Sequence, residues 1–119
     1  MRVGMALLML MAASCRNEPS PSAAEEFAKQ ERHAALEQEI ETGITLPDPR
    51  FKVADYTRYY RMDRNKIIGV YIAHGMDETV WVENDDQIPM MLDGGCSVVS
   101  FSYDPAKDDF DFIRCNGVA

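Results

Sequence analysis

The chain has 119 residues, of which 46% are hydrophobic and 27% charged, and its formal net charge at pH 7 is −8. This length fits one domain, and the acidic balance argues against nucleic-acid binding, because contacts to phosphates need an excess of basic side chains. No apolar run in the sequence reaches the roughly 18 residues of a membrane-spanning helix. The composition therefore indicates a small acidic domain with enough apolar residues for a core.

Residues 1–14 are organised like an export signal. Arg2 and the amino terminus provide a short positive region, residues 3–11 are apolar apart from Gly4, and residues 12–14 are small. The apolar stretch is too short to span a bilayer but long enough to engage a translocon. We therefore predict a signal peptide over residues 1–14.

Cys15 directly follows these small residues, and the sequence Met-Ala-Ala-Ser-Cys over residues 11–15 resembles the lipobox of bacterial lipoproteins. In that family the cysteine becomes the first mature residue and carries fatty acyl groups such as palmitate, so the resemblance implies lipidation of Cys15. Two or three acyl chains anchor a protein stably, whereas one does so only marginally. The next residue is Arg16 and not Asp, which by the same resemblance implies the periplasmic face of the outer membrane. The alternative is an ordinary signal peptide cleaved near Ser14, with Cys15 left as a free thiol.

A polar segment with two prolines, residues 15–21, is predicted to be an extended tether. Ser22 and Glu25 then match a capping box, and the stretch that follows is rich in Ala, Glu, Gln and Lys, so we predict a helix over residues 22–43 that ends at Gly43. Two interpretations of this helix stay open: a solvated helix that lies lightly on a sheet, and a stalk or a helix offered to a partner. Its apolar stripe is thin and consists of Phe27, Leu36 and Ile40 with a few alanines.

Residues 44–119 alternate between apolar and polar side chains and are broken by turns, which predicts an antiparallel sheet. The predicted fold class is α+β: one N-terminal helix followed by a small antiparallel β-meander of about four main strands, stapled by one disulfide and forming one domain with the helix. Two hairpins supply the main strands, at residues 56–62 with 66–73 and at residues 97–103 with 109–114, and residues 79–83 lie between them.

The first predicted hairpin carries three more specific expectations. Asn65 would take the left-handed backbone conformation that such a turn needs. Gly69 would lie opposite Tyr59 or Tyr60, depending on the length of the turn. The side chains expected to face the core are Ile68, Val70 and Ile72.

Three cysteines in an exported protein leave one without a partner, and a lipid on Cys15 accounts for it. Cys96 and Cys115 then form an even pair in an oxidising compartment. A register that places Phe101 opposite Phe110 also brings Cys96 opposite Cys115, at the cross-strand spacing of about 5 Å that a disulfide can bridge. We therefore predict a structural disulfide that contributes about 3 kcal/mol. Neither cysteine lies in a Cys-x-x-Cys motif, which disfavours redox chemistry.

The sequence contains no recognisable catalytic or cofactor motif. His33 lies in the charged helix and His74 in a turn, and no nucleophile motif such as Gly-x-Ser-x-Gly accompanies them. We therefore expect no enzyme, no metal and no cofactor. One hairpin is rich in acids, namely Asp104, Asp108, Asp109 and Asp111. One interpretation is a calcium site, but the spacing of these acids does not match an EF-hand loop. A charged sheet edge that discourages edge-to-edge pairing explains them better.

Two stretches are candidate partner-binding sites. The first, Arg58-Tyr59-Tyr60-Arg61, is basic and aromatic and would suit a polyanion such as the phosphates of lipopolysaccharide, or an acidic protein face, unless its arginines only line the solvent face of a strand. The second, Met90-Met91-Leu92, is apolar and either plugs the core or forms an adaptable exposed patch.

Together these features predict a small lipoprotein at the periplasmic face of the outer membrane. Its domain would be a non-catalytic binding or structural component of the cell envelope. Its partners would be the membrane, through the lipid anchor, and another envelope protein or component. The alternative is an inhibitor-like domain, secreted or anchored, that presents residues 84–95 to a target enzyme.

Overall fold

The computed structural model describes residues 21–74 and 76–117. Within them the chain forms one helix, α1 (Pro21–Gly43), followed by five strands, so the α+β class is confirmed. The helix begins one residue before the predicted range and ends at the predicted residue. The strands are β1 (Thr57–Asp63), β2 (Lys66–Ile72), β3 (Glu78–Val82), β4 (Val98–Asp104) and β5 (Asp109–Cys115).

The predicted membrane-targeting features fall outside this part of the chain. The signal peptide over residues 1–14, the acylated Cys15 and the tether up to residue 20 all lie outside the described residues. Among the residues that are described, no helix is both long and apolar enough to cross a membrane.

All five strands form one sheet in the order β3-β1-β2-β4-β5. β3 pairs in parallel with β1, whereas the other neighbouring pairs are antiparallel, so the four-stranded antiparallel meander is wrong in strand number and in the orientation of β3. β2 is flanked by β1 and β4, so β3 does not lie beside β2 and instead occupies the outer edge of β1. Thr57, at the start of β1, donates a hydrogen bond from Oγ1 to the Met76 carbonyl, just before β3, at 3.3 Å.

The helix packs on one face of the sheet, with Leu36 and Ile40 against the core. Glutamates of the helix add polar contacts, because each accepts a hydrogen bond from an aromatic side chain of a different strand. These bonds explain how a helix with a thin apolar stripe holds to a sheet. Trp81 Nε1 donates to Glu37 Oε1 at 2.5 Å, Tyr60 Oη donates to Glu41 Oε1 at 3.0 Å, and Tyr103 Oη donates to Glu39.

The core between the helix and the sheet is aromatic. Tyr60, Tyr71 and Phe101 are fully buried and meet edge to face. Gly69 lies opposite Tyr60 and makes room for these rings, because a Cβ at Gly69 would lie 2.0 Å from Cζ of Phe101. Ile68, Val70 and Ile72 lie on the face opposite the helix. The expectation that they face the core is wrong for Ile68 and Val70, which are only half-buried, whereas Ile72 is buried on that face.

Two residues other than glycine have a left-handed backbone among those described, and both lie in hairpin turns. In the β1–β2 turn it is Arg64, with φ of 58°, and not the predicted Asn65. In the β4–β5 turn it is Asp108, with φ of 49°, and the turn covers residues 105–108, so that Asp104 pairs with Asp109.

This turn lies one residue later in the chain than the predicted pairing requires, and the register of the second hairpin changes with it. Phe110 pairs with Tyr103 and not with Phe101, and a bulge next to Tyr103 shifts the pairing by one more residue towards the open end. The predicted register is therefore wrong. The predicted disulfide between Cys96 and Cys115 is nevertheless confirmed, with the two Cα atoms 4.5 Å apart. Cys96 lies in a 3-10 turn before β4, so it reaches Cys115 without being its strand partner.

Candidate functional site

The connection from β3 to β4, residues 83–97, crosses the sheet on the face that the helix leaves open. β3 and β4 both run parallel to β1 but are separated by β1 and β2, so the connection has to pass over both strands. Arg61, on this open face, holds the start of the connection, because its Nε donates to Asp85 Oδ1 at 2.7 Å. We call residues 83–97 the crossover segment. Farther along, its residues Ile88, Met90 and Met91 line a groove together with Val70 and Ser100 of the sheet.

The start of the crossover segment is braced by one side chain. Gln87 Oε1 accepts hydrogen bonds from the backbone N–H groups of Glu83, at 2.8 Å, and Asn84, at 3.0 Å. The backbone N–H of Ile88 donates to the Asp85 carbonyl at 3.0 Å, which closes a short 3-10 turn. These bonds satisfy backbone groups that would otherwise depend on water, and so they order this part of the connection.

The end of the crossover segment is held by the disulfide region. Asn116, the residue after Cys115, donates from Nδ2 to the Met91 carbonyl at 2.6 Å. Gly94 has φ of 119°, in the left-handed region that favours glycine, and its carbonyl accepts hydrogen bonds from both Oγ and the backbone N–H of Ser97. The segment is therefore fixed on both sides of its apolar run.

Met90, Met91 and Leu92, which we call the tip, lie between these two braces. Met90 is 85% exposed, Leu92 is 82% exposed and Met91 is 42% exposed. Of the two readings of this run, the structure places it at the surface and not in the core. Single exposed apolar residues are ordinary, but consecutive ones on a braced connection are typical of a surface that another molecule covers.

The groove beside the tip is small. It encloses about 230 Å³, less than the pockets that usually hold small-molecule ligands. An exposed apolar tip next to a small groove suits a macromolecular partner better than a small ligand.

The basic stretch of β1 does not form one surface. Arg58 and Tyr60 face the helix and are buried, whereas Tyr59 and Arg61 lie on the opposite face. Arg58 Nε lies 2.6 Å from Glu41 Oε1 and its Nη1 lies 2.7 Å from Asp77 Oδ1, so its charge is neutralised inside the fold. The four side chains of residues 58–61 are therefore divided between the two faces of the sheet and cannot bind one polyanion together.

The two histidines have different surroundings. His33 stacks on the ring of Trp81 with the ring centroids 3.7 Å apart, and burial lowers the pKa of its imidazole. His74 is exposed at the end of β2. Within residues 21–74 and 76–117, no group of three or more His, Cys, Asp or Glu side chains is arranged to hold a metal ion.

The acids of the second hairpin mostly bind groups of the protein itself. Asp111 Oδ2 accepts hydrogen bonds from Lys66 Nζ at 2.6 Å and from Ser102 Oγ at 2.9 Å, and these bonds, that from Lys66 above all, hold the pKa of its carboxyl below the usual range. Asp108 Oδ1 lies 2.7 Å from Tyr103 Oη, and Asp104 accepts from the backbone N–H of Ala106 at 3.0 Å. These acids are therefore engaged in contacts within the domain.

Sequence reasoning identified the tip but missed the residues that hold it. Gln87 follows Asn84 by three residues, which is the spacing of a capping box and would have indicated a turn there. Asn116 had no local signal apart from its position directly after a predicted disulfide cysteine.

Comparison with known proteins returned no relative. No protein-family model, no curated protein and no solved structure matches the chain.

Proposed function

We propose that this chain is a lipid-anchored protein of the bacterial envelope, tied to the periplasmic face of the outer membrane through Cys15. The lipobox-like residues 11–15 support this, and so does the disulfide, which is typical of an oxidising compartment. With Cys96 and Cys115 paired, Cys15 is the cysteine left for the lipid.

We further propose that the anchored domain is a binding component without a catalytic role, and that the tip is its binding surface. The single observation that carries this is the exposure of Met90 and Leu92 on a connection braced at both ends. Burying each such side chain in a partner would contribute about 2 kcal/mol. A connection that is already ordered loses little conformational entropy on binding, so more of this energy is realised as affinity.

The anchor is tested by the intact mass of the mature protein extracted from membranes, with and without reductant. We expect a mass that begins at Cys15 and includes acyl chains, with a gain of two hydrogen atoms on reduction of Cys96–Cys115. A Cys15→Ser variant should lose the acyl mass and leave the membrane fraction. An unmodified Cys15 in the wild-type protein would refute the anchor.

The second candidate is an inhibitor-like domain that presents residues 84–95 to a target enzyme. The exposed tip, held by hydrogen bonds on both sides, favours it as well, because a loop that is already ordered can block an enzyme groove without rearranging. The two candidates differ in what happens to the partner. An inhibitor abolishes the catalytic activity of the protein that binds the tip, whereas a structural binding component leaves that activity unchanged.

A further inference from the structure

The crossover segment carries negative charge and no positive charge. Residues 83–97 include four acids and no Lys, Arg or His. Asp85 lines the same groove as Met90 and Met91, and its side chain stays 76% exposed although it pairs with Arg61. Acidic side chains therefore lie on both sides of the tip along the chain. The exposed acids besides Asp85 are Glu83, Asp86 and Asp93.

We propose that the tip docks into an apolar pocket on another envelope protein, and that Lys or Arg side chains surround this pocket. The inference rests on the proposed function, because it takes the tip as the binding surface, and it adds the chemistry of the partner. Met90 and Leu92 provide the apolar contact at the centre. The acids around them select a basic rim, because unlike charges at a rim speed association, whereas like charges disfavour it.

Two other occupants fit this surface less well. In a two-fold dimer through the tip, the crossover segment of one copy would face the same segment of the other, so acids would face acids. A membrane surface with anionic headgroups would repel the same acids. A protein pocket with a basic rim is the occupant that uses both the apolar tip and its acidic surroundings.

The test uses the complete lipidated protein in its own membrane. The photo-crosslinking residue p-benzoylphenylalanine replaces Leu92 in one variant and Phe27 in the matched control, since Phe27 is 63% exposed on the helix. After irradiation the crosslinked peptides are sequenced by mass spectrometry. We expect position 92 to crosslink to one protein, at an apolar peptide that contains Lys or Arg, and position 27 not to reach that peptide.

A second arm measures the contribution of charge. Replacing Asp86→Asn and Asp93→Asn together should lower the crosslinking yield from position 92 by about threefold. Added salt should lower the yield of the protein with its acids intact, because it screens exposed charges. The control, Glu25→Gln with Glu31→Gln, removes the same number of exposed acids from α1 and should leave the yield unchanged.

Several results would overturn the inference. The inference is wrong if position 92 crosslinks to lipid, to a second copy of the chain or to a protein peptide without basic residues. It is also wrong if position 92 gives no crosslink. A yield that the Asp86 and Asp93 substitutions leave unchanged would overturn it too. The absence of any protein crosslink from position 92 would overturn the proposed binding surface as well, whereas a protein crosslink that the Asp86 and Asp93 substitutions leave unchanged would overturn only the basic rim, so the two failures can be told apart.

Discussion

Asn116 Nδ2 donates a hydrogen bond to the backbone carbonyl of Met91 at 2.6 Å. This bond joins the residue after the disulfide to the middle of the tip, although the two are 25 positions apart in the chain. The carbonyl of Asp93 lies 3.4 Å from the same nitrogen. One amide side chain thus connects the most constrained part of the fold to its most exposed apolar residues.

Asn116→Ala should loosen the tip without unfolding the domain. An exposed neutral hydrogen bond contributes about 1 kcal/mol at most, so the free energy of unfolding should fall by no more than that. Limited proteolysis should cut within residues 88–93 faster in the variant, because the backbone there loses its brace. Asn65→Ala, in the exposed β1–β2 turn, is the matched control. Equal cleavage rates in the two variants would show that Asn116 does not hold the tip.

The elements that the sequence predicts best are those with local signals. The helix is predicted to within one residue because its helix-forming composition and Gly43 both act within a few positions, although Ser22 lies inside α1 and not before it. The disulfide is predicted although the hairpin register is not. Cys96 and Cys115 lie at the open end of the hairpin, where the 3-10 turn before β4 absorbs the difference in register.

The position of β3 and the burial of β1 depend on distant parts of the chain. β4 pairs with the second edge of β2, so β3 does not lie beside β2 and pairs with β1 instead. The place of β3 thus depends on a strand that comes later in the chain. Arg58 and Tyr60 both face the helix, where Arg58 forms an ion pair with Glu41 and Tyr60 donates a hydrogen bond to it. No local pattern in the sequence reveals this pairing. The apolar composition of the tip was visible in the sequence, but its exposure follows from the two braces.

Gly69→Ala should destabilise the domain strongly. The added Cβ would lie 2.0 Å from Cζ of Phe101, a fully buried ring that can move only by disturbing its neighbours. We expect the free energy of unfolding in urea to fall by about 3 kcal/mol. Phe101→Leu in the same chain should restore part of the loss. Gly117→Ala is the control, because a Cβ there meets nothing within 4 Å, and an equal effect at both glycines would contradict the predicted clash.

The buried tyrosine pair predicts a loss of stability at alkaline pH. The hydroxyls of Tyr60 and Tyr71 lie 2.7 Å apart, and burial raises the pKa of both phenols. In the unfolded chain these phenols ionise near pH 10, so above that pH the folded state binds more protons than the unfolded state. The stability that this pair contributes is therefore complete below about pH 10 and is lost above it, by about 1.4 kcal/mol per pH unit for each phenol.

The measurement is the free energy of unfolding in urea at a series of alkaline pH values. Tyr71→Phe removes one of the two phenols, so its slope with pH should be shallower by about 1.4 kcal/mol per pH unit. Ile40→Val removes a methyl group from the same core and should lower the stability at every pH without changing the slope. A slope that Tyr71→Phe leaves unchanged would show that this pair does not control the alkaline loss.

Methionine oxidation should act on the tip before it acts elsewhere in residues 21–74 and 76–117. Met90 is the most exposed methionine of this region, at 85%, against 58% for Met76, 47% for Met62 and 42% for Met91. Dilute hydrogen peroxide converts each thioether to a sulfoxide and is reduced to water. The polar sulfoxide should weaken apolar docking, so peptide mapping should find Met90 oxidised first while the crosslinking yield from position 92 falls. Met90→Leu with Met91→Leu should keep that yield under peroxide, whereas Met62→Leu with Met76→Leu should not, and the reverse pattern would exclude the tip as the oxidation-sensitive contact.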